Sequence, residues 1–238
     1  MKTQKTTVRL LSVLKSRLDV ALERACLKRD AYLNRLLERE LAELNREVRT
    51  PNSPAALAYI SLSLKHLGAR DLVTLTLRSD LLAKLDGLCT RKRICRDAFF
   101  NRIAFLLTAP AWLIDATFFP ELEKWRAEVW TECRNDGPIY ANVFSPLDPI
   151  IDPFWTIRAG LALSAEECKQ RGNLPPDGFY TTCLFGRRRK KFIPLWGLSC
   201  HMDDALVPRT DASKASELDI AQLISEIDRH PQQRRRCT

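Results

Sequence analysis

A chain of 238 residues, 45% of them apolar, is long enough for one large domain or two ordinary ones and too apolar for a disordered chain. Its 38 lysines and arginines exceed its 29 acidic residues, and the formal net charge of +9 favours anionic partners, either nucleic acid or an acidic membrane surface. Arg9 and Lys15 interrupt the N-terminal apolar pattern, which argues against a secretory signal, and the apolar stretch 103–114 is too short to span a membrane. We therefore expect a soluble, cytoplasmic protein without a membrane partner.

The residues that usually carry catalysis or metal binding form no recognisable site. The eight cysteines are scattered and none belongs to a C-x-x-C pair, so reduced thiols are expected. Cys200 and His201 come closest to a ligand pair, but a second pair with suitable spacing is absent from the sequence. Asp203 and Asp204 beside His201 fit a polar loop, and no P-loop, G-x-S-x-G or H-E-x-x-H motif occurs. The sequence predicts neither an enzyme nor a bound metal or cofactor.

The first 45 residues predict a strand followed by two helices. Thr6, Val8 and Leu10 alternate with polar neighbours, which is the period of a half-buried strand. After Ser12, a good N-cap, the apolar spacing becomes helical, and a break is expected near Leu27. The first helix has Leu14 and Leu18 on its apolar face, and the second has Ala31, Leu33, Leu36 and Leu37.

The linker over residues 46–71 is expected to contain a helix of roughly 54–67. Ser53 and Pro54 resemble an N-cap and a first helical residue, and Gly68 resembles a C-terminal stop. Leu57, Ile60 and Leu64 would dock this helix on a core. The linker is long enough for its two flanking segments to fold back on each other, and it would equally permit exchange between chains.

The pattern of the first segment recurs 67 residues later without a gap. RDAYLNRL at residues 29–36 returns as RDAFFNRI at residues 96–103, and the preceding strand returns as LVTLTLRSD. The strand of the second copy has Val73, Leu75 and Leu77 on one face. Ser79 is a candidate N-cap for a first helix whose leucines at 81, 85 and 88 have helical spacing. After a break near Ile94, a second helix carries Ala98, Phe99, Ile103 and Leu106. A single strand leaves its backbone unpaired, whereas two copies can pair their strands over a shared core of four helices. The chain is thus predicted to be mainly α with a two-stranded antiparallel β-ribbon.

The remaining residues predict a C-terminal α+β extension over 111–230 and a basic tail over 231–238. A helix is expected to begin at Pro120, followed by an irregular segment rich in proline and aromatics. GFYTTCLFGRRRKKFIPLWGLSC predicts a β-hairpin with a basic turn over residues 187–191, and SELDIAQLISEIDRH predicts a short helix. All five tryptophans lie beyond residue 110, which favours a folded domain or an addition to the core.

The duplicated segments resemble the ribbon-helix-helix family of DNA-binding proteins, which includes Arc, MetJ and CopG. The residues that carry the resemblance are TVRLLSVLKSRLD and TLTLRSDLLAKLD, followed by LKRDAYLNRLL and ICRDAFFNRIA. The two copies in one chain resemble the tandem arrangement of the TraY proteins of conjugative plasmids. The resemblance implies a tandem DNA-binding domain over residues 1–110, with units 5–45 and 72–110, whose intrachain ribbon enters the major groove.

The same resemblance implies two sets of DNA contacts. Alternation along the strands assigns base reading to Lys5, Thr7, Arg9, Leu72, Thr74 and Thr76. The start of each second helix and the basic turn are assigned to phosphates, through Lys28, Arg29, Cys95, Arg96, Arg187, Arg188, Arg189, Lys190 and Lys191. Related proteins often begin the second helix with Ser or Thr, whereas Lys28 and Cys95 stand here. The basic turn is equally compatible with a solvated hairpin tip, and the recurring Asn34 and Asn101 suggest packing or hydrogen bonds between units.

The expected function is that of a transcriptional regulator of a bacterial plasmid or mobile element, which binds double-stranded DNA at a promoter or operator. The two strand triplets differ, so one ribbon is expected to recognise an asymmetric sequence, and self-association would place chains on adjacent half-sites. A relaxosome accessory protein of conjugative transfer would use the same contacts. An antitoxin or other partner-binding module would act through residues 111–238.

Overall fold

The computed structural model of the chain describes residues 2–66, 69–109, 114, 118–119, 152–173 and 178–181. These residues are mainly helical and contain one two-stranded antiparallel sheet, which confirms that part of the predicted fold class. In chain order the elements are β1 (Thr3–Leu11), α1 (Ser12–Arg24), α2 (Arg29–Glu47), α3 (Pro54–His66), β2 (Arg70–Arg78), α4 (Ser79–Lys92), α5 (Arg96–Thr108) and α6 (Trp155–Gln170). The order strand, helix, helix therefore occurs twice, as unit 1 (β1, α1, α2) and unit 2 (β2, α4, α5).

The ribbon is formed within one chain by β1 and β2. The ladder runs from Thr3 opposite Arg78 to Leu11 opposite Arg70 and is centred on the pair Thr7 and Thr74. Apolar side chains on one face of the ribbon are buried over the helices, as the alternation predicted. They are Val8, Leu10, Val73, Leu75 and Leu77.

Each strand continues into its first helix without an intervening loop. The predicted N-cap role of Ser12 and Ser79 is wrong, because both serines are already the first residues of their helices. The Ser12 amide donates to the Ala69 carbonyl at 3.0 Å, and the Ser79 amide donates to the Lys2 carbonyl at 3.1 Å. Backbone immediately before the opposite strand thus satisfies the first amide of each helix.

The predicted breaks between the two helices of each unit are confirmed. Cys26 and Arg93, which are equivalent in the repeat, adopt left-handed backbone with φ of +55° and +51°. The amide one residue further on returns to a carbonyl five residues back, from Leu27 to Leu22 and from Ile94 to Cys89, at 2.9 Å in both turns. This is the Schellman arrangement, and it ends the first helix of each unit in the same way.

A shared apolar core lies between the ribbon and the helices. The predicted helix faces are buried except at Leu57, which is half-buried, and at Ala31, which is exposed while its neighbour Tyr32 is buried. In α3, Ile60 and Leu64 are buried against the core. The N-cap prediction at Ser53 is confirmed, because its hydroxyl accepts a 3.0 Å hydrogen bond from the Ala56 amide.

The described C-terminal residues add to this core. Helix α6 was not predicted. The sequence predicts irregular structure up to Trp155, where α6 begins, and no helix in the residues that follow. Its Ile157 and Leu161 join the buried cluster together with Phe154, Phe179 and Tyr180. Residues 179–181 form a turn rather than the start of the predicted hairpin strand. The predictions for a helix from Pro120, the rest of the hairpin, the helix over SELDIAQLISEIDRH and the tail lie outside the described residues.

Candidate nucleic-acid interface

The six side chains predicted to read bases lie together on the outer face of the ribbon, the face opposite the core. In an antiparallel pair, directly opposite residues project to the same side of the sheet. The ladder places Lys5 opposite Thr76, Thr7 opposite Thr74, and Arg9 opposite Leu72. Five of the six are exposed and Thr76 is half-buried. Leu72 retains 68% of its surface, more than any other large apolar side chain in the described part of the chain.

The outward edges of the ribbon are closed by carboxylates from the second helix of the opposite unit. Asp97 on α5 accepts the Arg9 amide at 3.2 Å, and Asp30 on α2 accepts the Thr76 amide at 2.9 Å. A two-stranded ribbon has two edges whose amides and carbonyls would otherwise be free to pair with another strand. The recurring aspartates satisfy one such amide on each edge.

The recurring asparagines close the same edges at the next positions. Asn101 accepts the Leu11 amide and donates to the Arg9 carbonyl, both at 2.8 Å. Asn34 makes the equivalent bonds to β2, at 2.7 and 3.0 Å. Each asparagine also donates to the carbonyl four residues back in its own helix. The expectation of hydrogen bonds between units is therefore confirmed, and it explains why RDAYLNR and RDAFFNR share Asp and Asn.

The recurring arginines lie beside the centre of the ribbon. Arg96 donates to Asp86 at 3.1 Å and to the Thr7 carbonyl at 3.2 Å. Arg29 makes the equivalent pair of contacts on the other side, both at 3.4 Å. Both side chains remain about one-third exposed, at 33% and 30%. Their guanidinium groups thus support the ribbon from within the protein, and the predicted contact with phosphate stays a prediction.

The remaining predicted phosphate contacts divide into two groups. Lys28 and Cys95 precede the first residues of α2 and α5, and neither side chain makes a capping hydrogen bond. Lys28 is exposed and Cys95 is half-buried. Since Arg29 and Arg96 reach the ribbon, these two helix N-termini flank it on opposite edges. The basic turn over residues 187–191 and the pair Cys200–His201 lie outside the described residues.

An ionic cluster around the buried Glu40, which the sequence did not predict, attaches the C-terminal segment to unit 1. Arg158 on α6 donates to both carboxylate oxygens of Glu40, at 2.9 and 2.8 Å, and to Asp152 at 2.5 Å. The Tyr180 hydroxyl also donates to Glu40. Burial raises the pKa of Glu40 above its ordinary value, while Arg158 and Tyr180 act in the opposite direction. The only sequence signal was a glutamate on the apolar face of a helix, beside Leu41 and Leu44.

Unit 2 holds the same segment through Arg102. This side chain is fully buried and donates to the Phe179 carbonyl, whereas the equivalent Arg35 in unit 1 is exposed. The Phe99 and Tyr180 rings stack at 6.3 Å between centroids. The C-terminal segment therefore contacts both units and packs against the core that they share.

Comparison with protein-family models, with curated proteins and with solved structures found no match to this chain. None of the helices in the described ranges is both long and apolar enough to cross a membrane. Within those ranges no group of three or more His, Cys, Asp or Glu side chains is placed to hold a metal ion.

Proposed function

We propose that the protein is a sequence-specific regulator that binds double-stranded DNA, and that its two units form an intrachain ribbon-helix-helix domain. The observation that carries the proposal is the outer face itself. It gathers basic, hydroxyl and apolar side chains on one exposed surface of a two-stranded ribbon. That mixture corresponds to what base edges in the major groove present, namely acceptors, donors and the thymine methyl group.

The dimensions of the ribbon suit this groove. Paired strands lie about 4.8 Å apart, and the major groove of B-DNA, about 12 Å wide, admits a two-stranded ribbon with its side chains. Arg9 would bond guanine through two nitrogens, the threonines would offer hydroxyl and methyl groups, and Leu72 would pack on a thymine methyl.

The closed edges favour reading by side chains over pairing with a peptide strand. Asp97 and Asn101 already engage the outward amides and carbonyl of β1 at Arg9 and Leu11, so those groups are not available to an added strand. The same bonds hold the backbone beneath the outer face in one conformation. A binding face that is already ordered loses less conformational entropy on association.

The flanking helices supply contacts to the DNA backbone. The first amides of an α-helix lack intrahelical partners and attract anions together with the helix dipole. Helices α2 and α5 begin at opposite edges of the ribbon, so each would face the phosphates of one groove wall. Lys28 adds positive charge at one of these positions.

The C-terminal residues bear on the partner-binding alternative. An antitoxin of this type would keep a tail free to fold onto its toxin, whereas Phe154, Phe179 and Tyr180 are buried in the core of this chain. Glu47 also accepts the amides of Tyr180 and Thr181, at 2.5 and 2.9 Å. Within the described residues, these contacts favour a structural role for the C-terminal segment over one in binding a partner.

The test is selection of bound sequences from a random duplex pool near physiological salt, where nonspecific attraction is weak. Wild type is compared with Lys5→Ala/Arg9→Ala and with a control of equal charge change, Arg46→Ala/Lys169→Ala. The control side chains are 76% and 80% exposed. Arg46 lies 17 residues beyond the start of α2, about 25 Å along the helix axis.

We expect wild type and the control to enrich the same short motif, and the outer-face variant to lose it. Loss of Arg9 alone should cost about 1–3 kcal/mol on the selected duplex and much less on random DNA. Enrichment of no motif by wild type would refute the proposal. If the outer-face variant and the control lose motif enrichment equally, the outer face contributes to binding through its charge alone.

A further inference from the structure

The repeat has an internal two-fold axis that passes through the outer face. Thr7 and Thr74 are opposite each other in the ladder and are also equivalent in the repeat, so the axis runs between them. Hydrogen bonds between equivalent groups at both edges show that the backbone follows this symmetry. The axis exchanges Lys5 with Leu72 and Arg9 with Thr76. The side chains therefore break the symmetry that the backbone keeps.

One end of the outer face combines a guanidinium with an apolar group. Arg9 lies directly opposite Leu72, and residues so paired have Cβ atoms about 4.5–5.5 Å apart. That separation spans one or two base-pair steps of about 3.4 Å. The end is suited to a guanine, which Arg9 would bond at O6 and N7, and a neighbouring thymine, whose methyl group would cover the exposed Leu72.

The other end has different chemistry. Lys5 lies opposite Thr76, so it offers a flexible ammonium and a hydroxyl but no exposed aliphatic group comparable to Leu72. An ammonium lacks the planar fork of a guanidinium and accepts a wider range of acceptor geometries. The two ends lie four residues apart along each strand, about 13 Å, which corresponds to about four base-pair steps.

We infer that the chain recognises a non-palindromic duplex in a single orientation, with Leu72 selecting a thymine methyl group beside the guanine bound by Arg9. This inference rests on the proposed DNA-binding function. It adds the direction of binding and a residue that sets it. A symmetric pair of identical units could specify neither.

Restoring the symmetry of the side chains tests the inference. The variant Leu72→Lys/Thr76→Arg gives both strands the same triplet as β1. Each introduced side chain has a precedent at the equivalent position of β1, where Lys5 and Arg9 are exposed on the same backbone. The fold should therefore persist, which far-UV circular dichroism and thermal unfolding would check before selection from the random duplex pool.

We expect wild type to enrich a motif without two-fold symmetry. We expect the variant to enrich a palindrome with the guanine bound by Arg9 repeated in inverted orientation, and without the thymine preference that Leu72 provides in wild type. A palindromic wild-type motif, or a variant motif that keeps the wild-type asymmetry, would overturn the inference while the proposed function stands. Failure of wild type to enrich any motif would instead refute the proposed function.

The thymine contact has its own test on the selected wild-type duplex. Each thymine is replaced in turn by deoxyuridine, which removes only the methyl group. We expect one replacement to weaken wild-type binding about four-fold, from about 0.8 kcal/mol per buried methyl-sized group. Leu72→Ala should bind the two duplexes equally. If no thymine replacement weakens the binding of wild type more than that of Leu72→Ala, the assignment of Leu72 to a thymine methyl group is wrong.

Discussion

Replacing Asn101 by alanine should lower the free energy of unfolding by about 2–5 kcal/mol. The side chain is fully buried and makes three hydrogen bonds of 2.8 Å, to the Leu11 amide and to the carbonyls of Arg9 and Asp97. Without it the Leu11 amide has no partner in a residue that is only 4% exposed, at a cost of about 1–3 kcal/mol. The Arg9 carbonyl lies in an exposed residue where water can replace the bond, so its loss adds about 0.5–1.5 kcal/mol. The cavity accounts for the rest.

The repeat supplies a matched comparison at Asn34. This residue makes the same three bonds, at 2.7, 3.0 and 2.7 Å, but it is half-buried and its bonds are more accessible to water. Asn34→Ala should therefore cost about 1–2 kcal/mol, less than Asn101→Ala. Asn45→Ala, on an exposed position of α2, should lie within about 0.5 kcal/mol of wild type.

Urea unfolding followed by circular dichroism measures these differences as shifts of the midpoint at constant slope. Asn101→Leu separates the two causes, because it restores the volume of the side chain without its hydrogen bonds. If Asn101→Leu lowers the free energy of unfolding as much as Asn101→Ala does, the unpaired backbone groups and not the cavity cause the destabilisation. The reasoning fails if Asn101→Ala is within 0.5 kcal/mol of wild type, or if Asn34→Ala is the more destabilising change.

Three further predictions concern groups away from the outer face. Glu40→Gln should lower stability by about 2–4 kcal/mol in thermal unfolding, because it removes a buried countercharge from the α6 guanidinium; an unchanged midpoint would contradict this. The hydrogen bond from Arg78 lowers the pKa of Asp80. The contribution of this interaction to folding stability is therefore present above the pKa of Asp80 in the unfolded chain, and it is lost as pH falls through the pKa in the folded chain. NMR titration should show the Asp80 pKa move towards its ordinary value in Arg78→Ala. Burial raises the pKa of the Cys89 thiol to about 12, so iodoacetamide at pH 8 should modify the exposed Cys26 before Cys89. Peptide mass spectrometry measures both rates of modification, and equal rates would contradict this prediction.

Periodicity predicted most of the described fold because each unit changes from period 2 to period 3.6 at one clear point. Val8 and Leu10 against Lys5 and Arg9 identified the faces of β1, and the repeat then identified the faces of β2. The strand-to-helix junction was harder. Ser12 satisfies the local rule for an N-cap, but the carbonyl of Ala69, immediately before the opposite strand, accepts its amide, and local rules contain no information about that acceptor.

The parts that sequence reasoning missed depend on distant partners. Helix α6 has only a weak apolar stripe at Ile157 and Leu161, and it is stabilised by a core that residues 3–106 build. Glu40 and Arg158 are 118 positions apart, so their pairing has no local signal. A glutamate on an apolar helix face indicates that a partner exists, and the fold alone identifies which one.

Recurrence and divergence within the repeat separate two kinds of residue. The first arginine, the aspartate and the asparagine of RDAYLNR and RDAFFNR recur because each bonds to backbone of the opposite strand, and that backbone is alike in both units. The outer-face side chains at the two ends differ between units, as the proposed recognition of an asymmetric duplex requires.

This distinction leads to a prediction for Arg96, whose place at the start of the second helix had predicted a phosphate contact. Since its guanidinium bonds to Asp86 and to the Thr7 carbonyl, Arg96→Ala should lower stability by about 1 kcal/mol. The slope of log Kd against log salt on the selected duplex should remain unchanged. If Arg96 binds phosphate instead, the slope should shrink by about 0.9, with stability unaltered. Titrations at several salt concentrations beside urea unfolding therefore decide whether this arginine supports the ribbon or holds the DNA.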